Sequence, residues 1–380
     1  MKRYTVIVLG ARGAGKTVFL ASLFRKLGVA GDYGFFLGAD MHQKLQLNAV
    51  YNLIVTNEGW PDATQFKEIS EWEFTCKVVS RSGKIYDAFE IVYLDYSGGR
   101  LTDITSKEES GEFQSLLNNA DCLLGLLDGQ KVYDYMEGID KGGRFQNIEM
   151  AAVLQMLNES SNPVHVVISK WDLLEGRFNL EQIRDKLLQD PLFENLVKTK
   201  SRLGAPIRLI PVSSVGSGFA VREADGIMRK LPGAVPNPFQ VEMPFALVLP
   251  DKIKSELERI AREEAKISST QITVRTNLSL WDKLGRVLAG AVRTVKEYLP
   301  DKLQYTEKIL RKIADRAERG ATAKLLQAKK TEEQYRLEIQ SSLAAVKDQE
   351  SALEHTINSF LELERKLNFK FPASRLDMPS

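Results

Sequence analysis

The sequence predicts an α/β fold, a mostly parallel sheet flanked by helices, continued by an α-helical C-terminal domain. Three observations carry this. Short β-branched and aliphatic runs alternate with helix-length segments through about the first 230 positions, the pattern of strands connected by crossover helices. Turn formers are concentrated early: of 26 glycines only Gly285, Gly290 and Gly320 lie beyond residue 250, and of 13 prolines only Pro300, Pro372 and Pro379. A glycine-rich stretch, 10–17, sits directly between the first strand-like run and the first helix-like one.

Taken in order, strands are expected at 4–9, 71–80, 85–95, 121–128, 164–169 and 205–213, and helices at 17–27, 145–158 and 180–188. Ser82-Gly83 supplies the turn between the second and third strands. The segment 29–60 is long for a loop and carries Leu45, Leu47, Val50, Leu53 and Ile54, so it is expected to pack. Prolines 236, 238 and 244 suit an extended passage over 232–250. A helix over 251–267, with Ile253, Leu257 and Ile260 on one face, closes a first domain of residues 1–268. The second covers 269–380.

Composition narrows the function. With 43% hydrophobic and 27% charged residues, the chain is globular and not disordered. Its 52 basic and 50 acidic residues nearly cancel, so no whole-protein field draws it to nucleic acid, and no specific nucleic-acid partner is expected. Cys76 and Cys122, with only His42, His165 and His355, cannot build a disulfide framework or a four-ligand zinc site. The cysteines read as buried thiols, His165 as a hydrogen-bonded core imidazole, and no histidine joins a triad or metal set. The start runs into a strand without a long apolar stretch or cleavage site, and no apolar run reaches bilayer-spanning length. A reducing, cytoplasmic setting is expected.

The chemistry begins at Gly10-Ala11-Arg12-Gly13-Ala14-Gly15-Lys16-Thr17, which satisfies G-x-x-x-x-G-K-[ST] between a strand and a helix. Glycines let successive N–H groups turn inward onto a phosphate, and the helix adds its positive end. Lys16 brings a full charge to the outer phosphates and the Thr17 hydroxyl can ligate Mg2+. The loop alone does not separate ATP from GTP.

Two further segments do. The strand 164–169 ends in Ser169 and leads into Lys170-Trp171-Asp172, and the strand 85–95 leads into Asp95-Tyr96-Ser97-Gly98. Together with the loop they resemble the N/T-K-x-D and D-x-x-G elements of Ras-like, translation-factor-related (TRAFAC-class) P-loop GTPases, over roughly residues 1–230. The resemblance implies GTP and GDP as ligands, with Mg2+. Asp172 then reads guanine by accepting from N1–H and the 2-amino group, which adenine does not offer, while Lys170 lies along the base. Ser169 replaces the usual Asn or Thr and keeps a hydroxyl to tie this loop to the phosphate loop. Asp95 holds Mg2+ through water and Gly98 N–H reports the γ-phosphate. Pro211-Val212-Ser213-Ser214-Val215 resembles the S-A-x element, whose backbone N–H groups at Ser213 and Ser214 meet the guanine oxygen.

The family also needs a switch Thr or Ser on Mg2+. Thr56 and Thr64 are the candidates, and Thr64 is preferred because Trp60-Pro61-Asp62-Ala63-Thr64 resembles the W-P-x-x-T switch of bacterial GTPases found in multi-domain and conflict-system proteins. Where many such enzymes carry a water-orienting glutamine, this chain has Gly99 and Arg100. Slow intrinsic hydrolysis is therefore expected. Arg12 either lies outward in solvent or swings over the phosphates as a charge-stabilising finger.

In the tail, Trp281, Leu284, Leu288, Ala291, Val292, Val295 and Leu299 form a helical stripe with basic residues elsewhere on its surface. It packs in a bundle or lies weakly on an anionic membrane. Ile339, Leu343, Val346, Leu353, Ile357, Phe360 and Leu367 follow coiled-coil spacing, interrupted by Glu350 and Glu364. This seam pairs with 301–326 in a hairpin bent over 329–336, or with a second copy in a homodimer. The expected role is a guanine-nucleotide switch that hydrolyses GTP slowly and passes its state to a protein effector or regulator through its switch loops and tail. A dynamin-like membrane-associated mechanochemical GTPase and an ATP-using P-loop enzyme are the competing readings.

Overall fold

The computed structural model describes residues 1–31, 33–56, 59–61, 70–80, 82–95, 107–139, 143–223, 226–269 and 332–376. Thr64, Gly98, Gly99, Arg100, the stripe 281–299 and the arm 301–326 lie outside these residues.

From the amino terminus, β1 (Arg3–Gly10) leads through the glycine-rich loop into α1 (Lys16–Leu27). The next elements are β2 (Phe36–Gly38), α2 (Met41–Thr56), β3 (Ser70–Val79), β4 (Ile85–Asp95), α3 (Lys107–Asn119), β5 (Cys122–Leu127) and α4 (Gly129–Met136). A π-helical turn (Phe145–Met150) opens α5 (Ala151–Asn158), followed by β6 (Val164–Ile168), α6 (Leu180–Leu187), α7 (Pro191–Leu203) and β7 (Ile207–Pro211). The hairpin β8 (Ala220–Arg222) and β9 (Met228–Lys230) precedes α8 (Met243–Ala246), α9 (Val248–Ser269), α10 (Glu332–Leu343) and α11 (Gln349–Lys370).

Seven strands form one sheet in the order β2-β3-β4-β1-β5-β6-β7. β2, β3 and β4 pair antiparallel, and β4, β1, β5, β6 and β7 are parallel. Chemistry follows topology. The inner strand β5 is buried throughout, as a strand covered on both faces must be, whereas β3 alternates and turns Glu71 and Glu73 out to Arg3. Side-chain alternation along β1 sends Tyr4, Val6 and Val8 into one core and Ile7 and Leu9 into the other. The first core is covered by α1, α8, α9 and α11; the second by α3 to α7. This α/β arrangement fits a P-loop-type domain.

Two expectations are corrected. The passage 232–250 is not extended to its end, because Met243–Ala246 and the start of Val248–Ser269 are helical. The described part of the tail seam packs on the sheet. Leu353, Ile357, Phe360 and Leu367 are buried in the core of the sheet, with Phe360 edge-on to Phe35, Phe89 and Phe245. A hairpin exists, but it joins α10 to α11 and turns over 344–348. Its second helix starts in a capping box between Asp348 and Ser351; residues 332–336, expected to bend, are helical. Ion pairs Glu332–Lys366 and Glu338–Arg365 tie the two helices.

Beyond α11, residues 371–376 run along the outer edge of β7. Arg375 bridges Arg208 in antiparallel fashion, Leu376 N–H donates to the Ile207 carbonyl at 3.1 Å, and Ala373 and Leu376 sink into the second core. Beneath this strap lies a buried ion cluster. Arg208 grips both Asp251 oxygens at 2.5 Å and Glu364 at 2.7 Å, and His165 Nε2 meets Asp251 at 2.9 Å. The expected core imidazole is therefore present. Among the described residues no helix is long and apolar enough to cross a membrane.

Candidate functional site

Parallel strands place their following loops at one end of a sheet, and here the register shows which loops meet. Gly10 pairs with Leu126, Leu127 with Ile168, and Ile168 with Pro211. The loops after β1, β5, β6 and β7 therefore leave side by side. Asp95 ends β4, on the other side of β1. With neighbouring strands ~4.8 Å apart, the loops after β1 and β6 are ~10 Å apart.

The loop after β1 is built as expected. Gly13 and Gly15 both take φ 86°, and a side chain at Gly15 would be strained just where the chain turns into α1. Ala14 N–H donates to Ala11 O at 3.1 Å. Lys16 is buried, its ammonium 3.0 Å from the Gly10 carbonyl and 3.9 Å from Asp95 Oδ1. Burial lowers the Lys16 pKa, partly offset by Asp95. Burial likewise pushes the Asp95 carboxyl up to about 6, against the pull of Lys16. Thr17 follows in the first turn of α1, and Arg12 is exposed.

Magnesium is implied only by the family resemblance. Asp95 Oδ1 is buried without a hydrogen-bond partner, and an orphaned carboxylate oxygen beside a hydroxyl-bearing helix start fits a hard cation with oxygen ligands. Among the described residues no group of three or more acidic, His or Cys side chains is arranged to hold a metal ion. One carboxylate and one hydroxyl leave the other positions to water and phosphate. Thr56, the second switch candidate, bonds its hydroxyl to Asn52 O at 2.7 Å within its own helix.

At the far side, Lys170 takes a left-handed conformation (φ 50°, ψ 40°), which is rare for a side-chain-bearing residue and turns the backbone sharply after β6. Its ammonium meets Asp128 Oδ2 at 2.8 Å. Asp172 is half-buried, and its Oδ1 accepts from Ser213 Oγ at 2.5 Å. Burial raises the Asp172 pKa, with the Ser213 bond the leading opposing effect. Ser213 Oγ also accepts Gly216 N–H at 2.7 Å, so one hydroxyl locks the loop after β7 to the carboxylate after β6.

Two local expectations change. Ser169 Oγ donates to the Leu127 carbonyl at 3.1 Å and so ties its loop to β5, not to the phosphate loop. The Ser213 amide is engaged with Phe239 O at 3.0 Å, so Ser213 meets Asp172 through its side chain and its amide is not turned to a ligand. Two residues were missed. Asp128 both holds Lys170 and caps α4 through Gln130 N–H, and an acid just after an apolar strand was the available signal. At Gly129 a Cβ would stand 2.0 Å from Ser169 O, so only glycine admits this approach.

No family model matches the chain. It is similar to a glucose-6-phosphate isomerase of Helicobacter pylori (strain G27), 24% identical over 155 residues, 40% of this chain and 25% of that protein. Among solved structures it is similar to the S. cerevisiae Ski7 GTPase-like domain bound to GTP, at 20% identity, covering 65% of this chain and 50% of that one with a TM-score of 0.34. The chain thus spans a quarter of the curated relative and half of the solved one. Neither similarity is extensive enough to transfer a role.

Proposed function

We propose that the protein is a guanine-nucleotide switch that binds GTP with Mg2+ and hydrolyses it slowly to GDP. The observation that carries this is the pairing of two loops at one end of the sheet: a buried-lysine phosphate loop after β1, and a carboxylate pinned by Ser213 after β6. Their ~10 Å separation suits a nucleoside diphosphate laid across β5.

In this reading the Gly13–Lys16 backbone and the α1 N-terminus receive the phosphates. Lys16, desolvated and held near Gly10 O, turns its charge onto the outer phosphate oxygens. Thr17 and Asp95 hold the cation, which supplies charge neutralisation at the transferring phosphoryl group. Asp172 accepts the two guanine donors and Lys170, fixed by Asp128, flanks the base. Thr64 completes the switch, and Gly98 senses the γ-phosphate. With Gly99 where a water-orienting glutamine is usual, turnover is slow without a partner, and exposed Arg12 is free to swing over the phosphates. Loss of the γ-phosphate releases the switch loops and signals to an effector.

Displacement of a fluorescent GDP by GDP, ADP and xanthosine diphosphate tests the reading. GDP should compete at least ~100-fold better than ADP, because a site built to pair donors rejects a base lacking them. Asp172→Asn should lose GDP and gain xanthosine diphosphate, whose 2-oxo group accepts from the amide. Equal competition by ADP would refute guanine recognition.

A further inference from the structure

This inference rests on the guanine reading and concerns what holds the base-reading loops in place. Trp171, between Lys170 and Asp172, is 3% exposed. Its ring meets Phe371 edge-on, centroids 5.9 Å apart at 89°. Phe371 also meets Phe239 edge-on, at 6.2 Å and 77°. Phe239 exchanges both backbone hydrogen bonds with Ser213, at 3.0 and 2.8 Å, and Ser213 is the residue whose hydroxyl fixes Asp172. One ring therefore touches both arms of the base site: the tryptophan inside the first motif and the phenylalanine that backs the second.

Phe371 is itself held at both ends. Its N–H donates to Leu367 O at 2.7 Å, and its carbonyl accepts Ser374 N–H at 2.9 Å. Lys370 Nζ lies 4.5 Å from the Phe239 centroid and 5.7 Å from that of Phe371, within cation–π range. The strap then continues into the β7 edge through Arg375 and Leu376. Trp171 in turn is fixed through its N–H to Val212 O at 3.0 Å, so its ring and backbone are set from different elements.

We propose that Phe371 is a positioning residue for purine recognition. It sets Trp171 and Phe239, and through them Asp172 and Ser213, so that residues 371–376 tune both affinity and base selectivity. An outer residue of this kind acts by keeping the contacting groups in productive geometry. Simple core packing predicts something different: lower thermal stability with an unchanged preference among bases.

The test uses the full chain, with Phe371→Ala and Phe371→Leu, and displacement of fluorescent GDP by GDP, by ADP and by inosine diphosphate, which lacks the 2-amino group; the ratio read is that of GDP to inosine diphosphate. Phe371→Ala should weaken GDP by ~3–10-fold, the range one aromatic edge contact carries. It should weaken inosine diphosphate less, so that the preference ratio falls. Phe371→Leu, which keeps apolar volume, should restore most of the ratio. An unchanged ratio in Phe371→Ala, with or without a lower melting temperature, overturns the proposal. If wild-type protein prefers GDP over ADP and the ratio is unmoved, only this inference falls. If wild-type protein shows no such preference, the guanine reading falls and takes this one with it.

Discussion

Ser213→Ala probes the centre of the proposed base site. In the structure Ser213 Oγ donates to Asp172 Oδ1 at 2.5 Å and accepts Gly216 N–H at 2.7 Å. The first is charge-assisted, and losing it leaves a half-buried carboxylate oxygen without its partner, a loss of about 2 kcal/mol. Because the bond is already formed without ligand, part of that loss falls on stability, and GDP binding weakens by at most ~30-fold. The substitution also changes the pH response. Burial raises the Asp172 pKa and the Ser213 bond opposes it, so removing the hydroxyl raises it further. Only the ionised carboxylate accepts both guanine donors. GDP affinity therefore falls as pH drops, and in Ser213→Ala the fall begins at higher pH. Isothermal titration of GDP from pH 5 to 8, with circular dichroism to verify folding, reads both effects. Affinity within twofold of wild type across that range would refute the role assigned to this hydroxyl.

His355 is buried against Gly34, and desolvation lowers its pKa from 6.5 to about 4. The unfolded chain binds the proton more tightly, so its contribution to stability is complete above pH ~6.5 and is lost as pH falls toward 4, by about 3 kcal/mol; denaturant midpoints against pH should be flatter in His355→Gln. Arg208→Ala strands Asp251 and Glu364 and should destabilise by ~3–5 kcal/mol, seen as a large drop in melting temperature. Gly129→Ala places a methyl against Ser169 O and should cost about 1–3 kcal/mol of stability, with weaker GDP displacement in the same preparation.

The turn of the glycine-rich loop into α1 and the place of Asp172 just after β6 were legible because both are set over a few residues: glycines with positive φ precede the helix, and the acid follows directly on an apolar run. Asp128 was not, since its partner Lys170 lies 42 positions away. The role of Ser213 was misassigned for a related reason, as a motif names the residue without saying whether its amide or its hydroxyl is used. β2 spans only three residues, too few for a periodic signal. The tail shows the limit most clearly. Spacing of 3 and 4 established that a helical face is buried, but not against what. Glu364, read as a break in the seam, is a half-buried partner of the buried Arg208. An arginine in an otherwise apolar strand was the hint that an acid elsewhere must reach it.

The strap along β7 has a consequence for making the protein. A fragment cut at residue 268 would leave the outer row of donors and acceptors on β7 bare and would wet the aromatic face around Phe35, Phe89 and Phe245 that Phe360 covers. Exposed edges of this kind recruit other chains. On the ribosome the same state exists for a time, because the strands emerge long before the residues that seal them. The nascent polypeptide carries an adhesive edge until residues 375 and 376 have been made and can pair with β7.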